Sequence, residues 1–134
     1  MSTSPGGGRR RTPKMRAVLE QLGQSQSFRT VQQVHAEIRT HHSVRVGLTS
    51  VYRILRNLAD DNIAESQRAE DGEILYRLRV TPAHRHYLVC RICGRAVGFT
   101  AEDVEHLCAT LAAEHHYRDV THHLDLYGTC PTCT

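Results

Sequence analysis

Four cysteines arranged as two C-x-x-C pairs, Cys90/Cys93 and Cys130/Cys133, are the residues whose spacing most directly implies chemistry. Each C-x-x-C turn can set two thiolates on one ion, and two such turns complete a tetrahedron that suits zinc. Four protein ligands leave no open coordination position, so the spacing implies a structural Zn²⁺, one per chain, rather than a catalytic one. A redox dithiol is the alternative for a lone C-x-x-C, but two pairs with Gly94 after the first favour zinc. The fifth cysteine, Cys108, falls on an apolar helical stripe and reads as a small core residue.

A second group of donors lies close by in sequence. His84 and His86 stand two apart, so an extended segment points both imidazoles the same way. If residues 117–127 are one strand, Val120, His122, Leu124 and Leu126 share a phase and His122 faces the apolar interior. A bare imidazole is costly there, and Glu105, at the edge of an apolar helical stripe, is placed to approach it. Two readings stay open. Three imidazoles and a carboxylate form a site for Zn²⁺, Fe²⁺, Ni²⁺ or Mn²⁺, or one interior histidine bonds Glu105 while His84 and His86 are exposed. His35 sits beside another apolar stripe and reads as a packed histidine.

The elements that must position these residues fall into two sets. Thr12-Pro13 is a helix start, and Met15, Val18, Leu19 and Leu22 recur on one helical face that ends at Gly23. Thr30 and Gln33 form a capping box for a second helix carrying Val31, Val34 and Ile38. A third helix begins near Thr49, with Val51, Ile54, Leu55 and Leu58 as its buried stripe. Residues 63–68 and 73–78 have strand character around the turn Glu70-Asp71-Gly72, which makes a hairpin. Three helices and a hairpin are the order of a winged helix-turn-helix. Thr81-Pro82 reads as a hinge, and strand (87–92), strand (95–100), helix (101–115) and strand (117–127) follow before CPTC. The expected fold is therefore α+β. A disordered basic arm (1–11) and a winged-helix domain (12–80) precede a hinge (81–83) and a small α/β metal-binding domain (84–134).

The exposed side of the third helix holds Ser50, Tyr52, Arg53, Arg56 and Asn57. Arginine can bond guanine bidentately, asparagine can read adenine, and the hydroxyls can hold phosphates. Arg68 and Arg77 on the wing, and Lys14 near the RRR arm, are expected to add contacts to the DNA backbone. The charge distribution agrees. Residues 1–82 hold 13 Arg/Lys against 8 Asp/Glu, whereas residues 83–134 hold 4 against 6. A basic front half fits nucleic acid, and an acidic back half rich in His and Cys fits metal. Hydrophobic residues make up 40% of the 134, and no apolar run approaches the roughly 20 residues of a membrane helix. No apolar segment follows the charged N-terminus, so a cytoplasmic protein with reduced thiols is expected.

The segments GLTSVYRILRNLADDNIAE, YLVCRICG and YGTCPTC resemble the ferric uptake regulator superfamily over about residues 12–133. The C-terminal wording is most similar to the actinobacterial zinc uptake regulator branch. The resemblance implies a metal-responsive transcriptional repressor that binds palindromic operator DNA as a homodimer and controls metal homeostasis genes. It implies no enzymatic activity, no small-molecule substrate and no membrane. By resemblance Cys90, Cys93, Cys130 and Cys133 match a structural zinc site. His84, His86, Glu105 and His122 match a second divalent-metal site, with Zn²⁺ its first candidate, in a dimerisation domain. Tyr52 and Arg53 match the recognition helix.

One departure stands out. Where zinc regulators of this branch have a sensing site at the hinge, the matching positions here are Glu65, Arg79, Arg85 and Tyr87. Arginine does not ligate a cation at neutral pH, so only Glu65 remains as a ligand, with His35 as a conceivable partner. Either sensing passes to the His84/His86/Glu105/His122 site, or His35 and other histidines build a different hinge site, or Arg79 and Arg85 tether the hinge by pairing with Glu65 or another acid, which would make it metal-independent. Competing functions are a same-superfamily sensor of iron, nickel, manganese or peroxide, and a zinc-dependent hydrolase. The hydrolase needs an open metal position, and the H-x-E…P-C-x-x-C pattern of nucleobase deaminases is absent.

Overall fold

The computed structural model describes residues 11–80 and 86–134; the basic arm before residue 11, the expected hinge at 81–83, His84 and Arg85 lie outside the described residues. Helix α1 (Pro13–Leu22) starts as its sequence dictates. The Met15 amide donates to Thr12 Oγ1 at 3.1 Å, and Pro13 occupies the first turn, where no amide is needed. The helix ends at Gly23 as expected, but without a left-handed cap. Gly23 keeps right-handed helical angles, and the Arg29 guanidinium donates to the carbonyls of Gln21 and Leu22, each at 2.9 Å. A helix end leaves its last carbonyls without intrahelical partners, and the Gln21 carbonyl also accepts the Gln24 amide at 3.2 Å. Arg29 also pairs with Glu37 of the next helix.

Helix α2 (Val31–His41) carries both halves of the capping box, Gln33 N–H to Thr30 Oγ1 at 3.0 Å and Thr30 N–H to Gln33 Oε1 at 2.8 Å. Helix α3 (Leu48–Asp60) buries Val51, Ile54, Leu55 and Leu58. These stripes meet Val18, Leu22, Val34 and Ile38 in one core. Strands β2 (Ala64–Arg68) and β3 (Ile74–Leu78) form the wing, turned by Gly72 at φ +93°, with Asp71 accepting the Glu73 amide. A two-residue strand β1 (Arg29–Thr30) pairs with β3, giving the antiparallel order β1-β3-β2. Two residues are too few for any periodicity to announce them.

In the C-terminal unit, β4 (His86–Cys90) lies between antiparallel β5 (Ala96–Phe99) and parallel β6 (Asp125–Gly128). Helix α4 (Glu102–Glu114) connects β5 to β6. The strand expected from residue 117 begins only at Asp125. His116 and Asp119 have φ of 60° and 56°, left-handed values that break an extended run, and among the described residues only 125–128 pair with β4. His122 therefore sits in a loop, and the alternation that was to turn it inward does not operate. Nor does the apolar stripe of α4 become core within one chain. None of its residues is buried, Leu107 and Leu111 are about half exposed at 56% and 48%, and Cys108 is only partly covered.

The two units pack directly on each other. Strand β3 is covered on both faces: Tyr76 points into the helical core, while Leu75 joins Phe28, Tyr87 and Val89 in a second cluster spanning both units. The Phe28 amide donates to the Gly94 carbonyl at 2.9 Å, Arg91 pairs with Glu70 at 3.0 Å, and Gln67 donates to Asp125.

Candidate metal centres and nucleic-acid interface

Alternation along β4 sorts the chemistry. Residues 86, 88 and 90 face one side and 87 and 89 the other. On the outer side stand His86, Leu88 and Cys90; on the inner side Tyr87 and Val89 pack against the winged helix. One five-residue strand therefore contributes to both donor clusters and to the domain interface.

Cys90 ends β4, Cys93 follows on the turn closed by Gly94 N–H to Cys90 O at 3.0 Å, and Cys130 and Cys133 lie just after β6. Because β6 runs parallel to β4, their C-terminal ends come together and all four sulfurs lie within 4.8 Å of one another. The Sγ atoms of Cys93 and Cys130 are 3.8 Å apart, matching the roughly 3.8 Å edge of a tetrahedron with Zn–S bonds of about 2.3 Å. Backbone amides aim at Cys90: the N–H groups of Ile92 and Cys130 lie 3.4 Å from its sulfur. Backbone hydrogen bonding, led by Cys93 and then Cys130, lowers the Cys90 thiol to about 6. Cys133 is pushed up to about 12, first by its hydrogen bond to Cys130. Four thiolates at this spacing repel one another, so the set fits a cation, and a thiolate-selecting one.

The second cluster forms on the same outer side. His86 Nε2 lies 2.8 Å from Glu105 Oε2, and His122 Nε2 lies 3.1 Å from the Glu105 carboxylate. The rings of His86 and His122 have centroids 5.4 Å apart, and Phe99 flanks His86 at 5.7 Å. His86 is 5% exposed. One ligand atom from each of the three comes within 4.8 Å of the others. Two imidazoles and a carboxylate suit a borderline divalent ion; His84, expected as the fourth member, lies outside the described residues. Among the described residues neither Glu65 nor His35 belongs to a donor cluster of three or more. His35 lines a cleft with Arg39, His42 and Ser43.

Glu65 is engaged by Arg77 and Tyr87. Arg77 Nε donates to Glu65 Oε2 at 2.9 Å and the Tyr87 hydroxyl donates to Glu65 Oε1 at 3.0 Å. The tether at Glu65 is Arg77, which β2–β3 pairing sets directly across from it; of the two arginines expected to tether the hinge, Arg85 lies outside the described residues. This also corrects the placement of Arg77 on the DNA-facing wing. Its side chain is 8% exposed and faces the C-terminal unit, leaving almost no guanidinium surface for a phosphate. The missed signal lay in β3 itself, where Leu75-Tyr76-Arg77 are consecutively buried: a strand covered on both faces does not alternate.

On α3, Tyr52, Arg53 and Arg56 are exposed, and Ser50 and Asn57 partly so. The Arg56 guanidinium lies 5.8 Å from the Tyr52 ring centroid. Lys14 and Arg68 are exposed as well. The helix rests on a fully buried stripe, so its outer face is a rigid, cationic ridge.

A family description, "Ferric uptake regulator family", matches residues 7–127. The zinc uptake regulation protein of Mycobacterium tuberculosis is 35% identical over 124 residues, 92% of this chain and 94% of the relative. The crystal structure of FurB from M. tuberculosis, described as a zinc uptake regulator, shares 34% identity with a TM-score of 0.50, covering 90% of this chain and 92% of that one. The Vibrio cholerae ferric uptake regulator has a TM-score of 0.68 at 28% identity, covering 92% and 93%. The chain belongs to the ferric uptake regulator family and is a metal-responsive transcription regulator, not an enzyme.

Proposed function

We propose that the protein is a zinc-responsive repressor that binds palindromic operator DNA as a homodimer in the cytoplasm and controls zinc homeostasis genes. The observation that carries this reading is one strand, β4, joining both donor clusters to the surface on which the winged helix rests. Similarity to the M. tuberculosis zinc uptake regulation protein favours zinc as the signal. Cys90, Cys93, Cys130 and Cys133 would hold one structural zinc per chain, which when bound supplies a closed tetrahedral staple and no open position. His86, Glu105 and His122, with His84 as a further candidate, would hold the second divalent ion and tie α4 and the following loop to β4.

The homodimer is supported by apolar surface with no partner in one chain. Leu88, Val97 and Leu126 are in register across the outer side of the C-terminal sheet and remain 42%, 57% and 43% exposed. Leu107 and Leu111 of α4 are exposed as well, and a second copy would cover such apolar surface. A two-fold dimer presents two α3 helices, which matches a palindromic site. Ser50, Tyr52, Arg53, Arg56 and Asn57 would contact the operator, with Lys14 and Arg68 on phosphates. No described helix is long and apolar enough to cross a membrane.

Metal analysis of the purified dimer, then operator binding titrated with Zn²⁺, Fe²⁺, Ni²⁺ and Mn²⁺, tests the proposal. Two zinc ions per chain and tightest binding with Zn²⁺ are expected; operator binding indifferent to every metal overturns it. The nitrogen/oxygen donors of the second cluster also suit iron. A preference for Fe²⁺, with histidine oxidation on peroxide exposure, identifies a peroxide sensor instead.

A further inference from the structure

Arg77 is a charge buried where the two units meet. It is enclosed between the Phe28 ring (4.5 Å to the centroid) and the Tyr87 ring (4.7 Å), and those rings meet edge-on at 5.4 Å. Its Nε is bonded to Glu65, and its Nη1 donates to the Gln26 carbonyl at 3.1 Å. Arg77, Glu65, Phe28 and Gln26 all belong to the winged helix. Tyr87 alone comes from the C-terminal unit, and it closes the set by donating its hydroxyl to the second oxygen of Glu65. A buried ion pair by itself contributes little net stability, because desolvation offsets the attraction. Here two aromatic faces and a carbonyl replace the lost water, so the guanidinium is bound much as a ligand is.

We propose that Arg77 is a built-in cation that clamps the winged helix to the C-terminal unit through Tyr87, so that docking of the two units does not depend on a dissociable ligand. The proposal deepens the regulatory reading above and rests on it for the role of metal. Glu65 has its two oxygens committed to Arg77 and Tyr87, and is not free to ligate an ion without breaking the clamp. Control by metal then enters from the other side of β4, where His86, the neighbour of Tyr87, meets Glu105 and His122. The domain interface is the constant part of the mechanism, and the second cluster is the variable part.

The Phe28 amide, bonded to Gly94 across the interface, reports docking directly, and its hydrogen exchange can be followed by NMR in the full-length dimer without DNA. After mild chelation that spares the tetrathiolate zinc, Phe28 protection in the wild type is expected to be unchanged. In Arg77→Lys and Tyr87→Phe it is expected to fall about tenfold or more, the scale of one lost hydrogen bond to a charged group. The amides of Val18 and Leu55 serve as the control for folding of the winged helix. If Arg77→Lys loses those too, Tyr87→Phe, which removes one oxygen, decides alone. Loss of Phe28 protection on chelating the wild type, with recovery on adding Zn²⁺, overturns the proposal, as does unchanged protection in Tyr87→Phe. Failure of the regulatory reading would appear separately, as operator binding that ignores metal while Phe28 behaves as stated.

Discussion

A Cβ on Gly94 would stand 2.1 Å from the Phe28 carbonyl oxygen, because the Cys90–Gly94 turn lies flat against the entry to β1 with Gly94 at φ +79°. The thiolate turn and the winged helix are thus in backbone contact. Gly94→Ala combines a left-handed strain with a clash against main chain that cannot rotate away. Unfolding experiments are expected to show a loss of about 2 kcal/mol or more, with Phe28 amide protection falling first. A variant as stable as the wild type would show that the contact yields.

Cys90→Ser removes the sulfur on which two backbone amides converge. Bound zinc is expected to fall by one ion per chain, and the midpoint of thermal unfolding to drop, since binding energy at such a site is folding energy. Elemental analysis with far-UV circular dichroism measures both.

Glu105→Gln keeps the shape of the side chain and removes its charge. Glu105 faces both His86 and His122, so affinity for the second ion should fall at least about tenfold, leaving the tetrathiolate zinc in place. Competition against a chromophoric chelator separates the two sites. Equal loss of both ions would mean that they are not independent.

Arg53→Ala lies on the exposed face of α3, clear of the buried stripe. Operator affinity should drop by about 1–3 kcal/mol with little change in unfolding midpoint. Gel shifts at fixed salt provide the comparison.

Burial, and then the hydrogen bond to Glu65, raise the Tyr87 phenol above its ordinary value of 10.0. A raised acid contributes stability that is fully present below the unfolded pKa and is lost as pH rises through the folded one. The clamp should therefore hold through neutral pH and weaken only above about 10. Ultraviolet titration against Tyr87→Phe should reveal one tyrosine ionising late.

The helices were legible because each carries its own signals: Thr12-Pro13, the Thr30/Gln33 box, and stripes such as Val51–Leu58. The hairpin followed from a turn with one glycine in a conformation that favours it. The set of four cysteines was legible because short C-x-x-C spacings fix geometry locally. Less was available for residues 117–124, where an alternating pattern was present but, among the described residues, no strand pairs with it. The buried Arg77 was illegible, since nothing in ILYRL says that a second unit will cover the outer face of β3.

By itself the sequence determined which residues can bind metal, where the helices start and stop, and which face of α3 stays exposed, because these depend on neighbours a few residues away. Only the tertiary structure decided that β6 runs parallel to β4, which gathers four sulfurs at one end of the sheet. It also decided that His86 and Tyr87, adjacent in HRHYLVCRICG, serve opposite sides of the domain. The reason is physical: alternation along a strand assigns residues to two faces, and only packing says what each face meets.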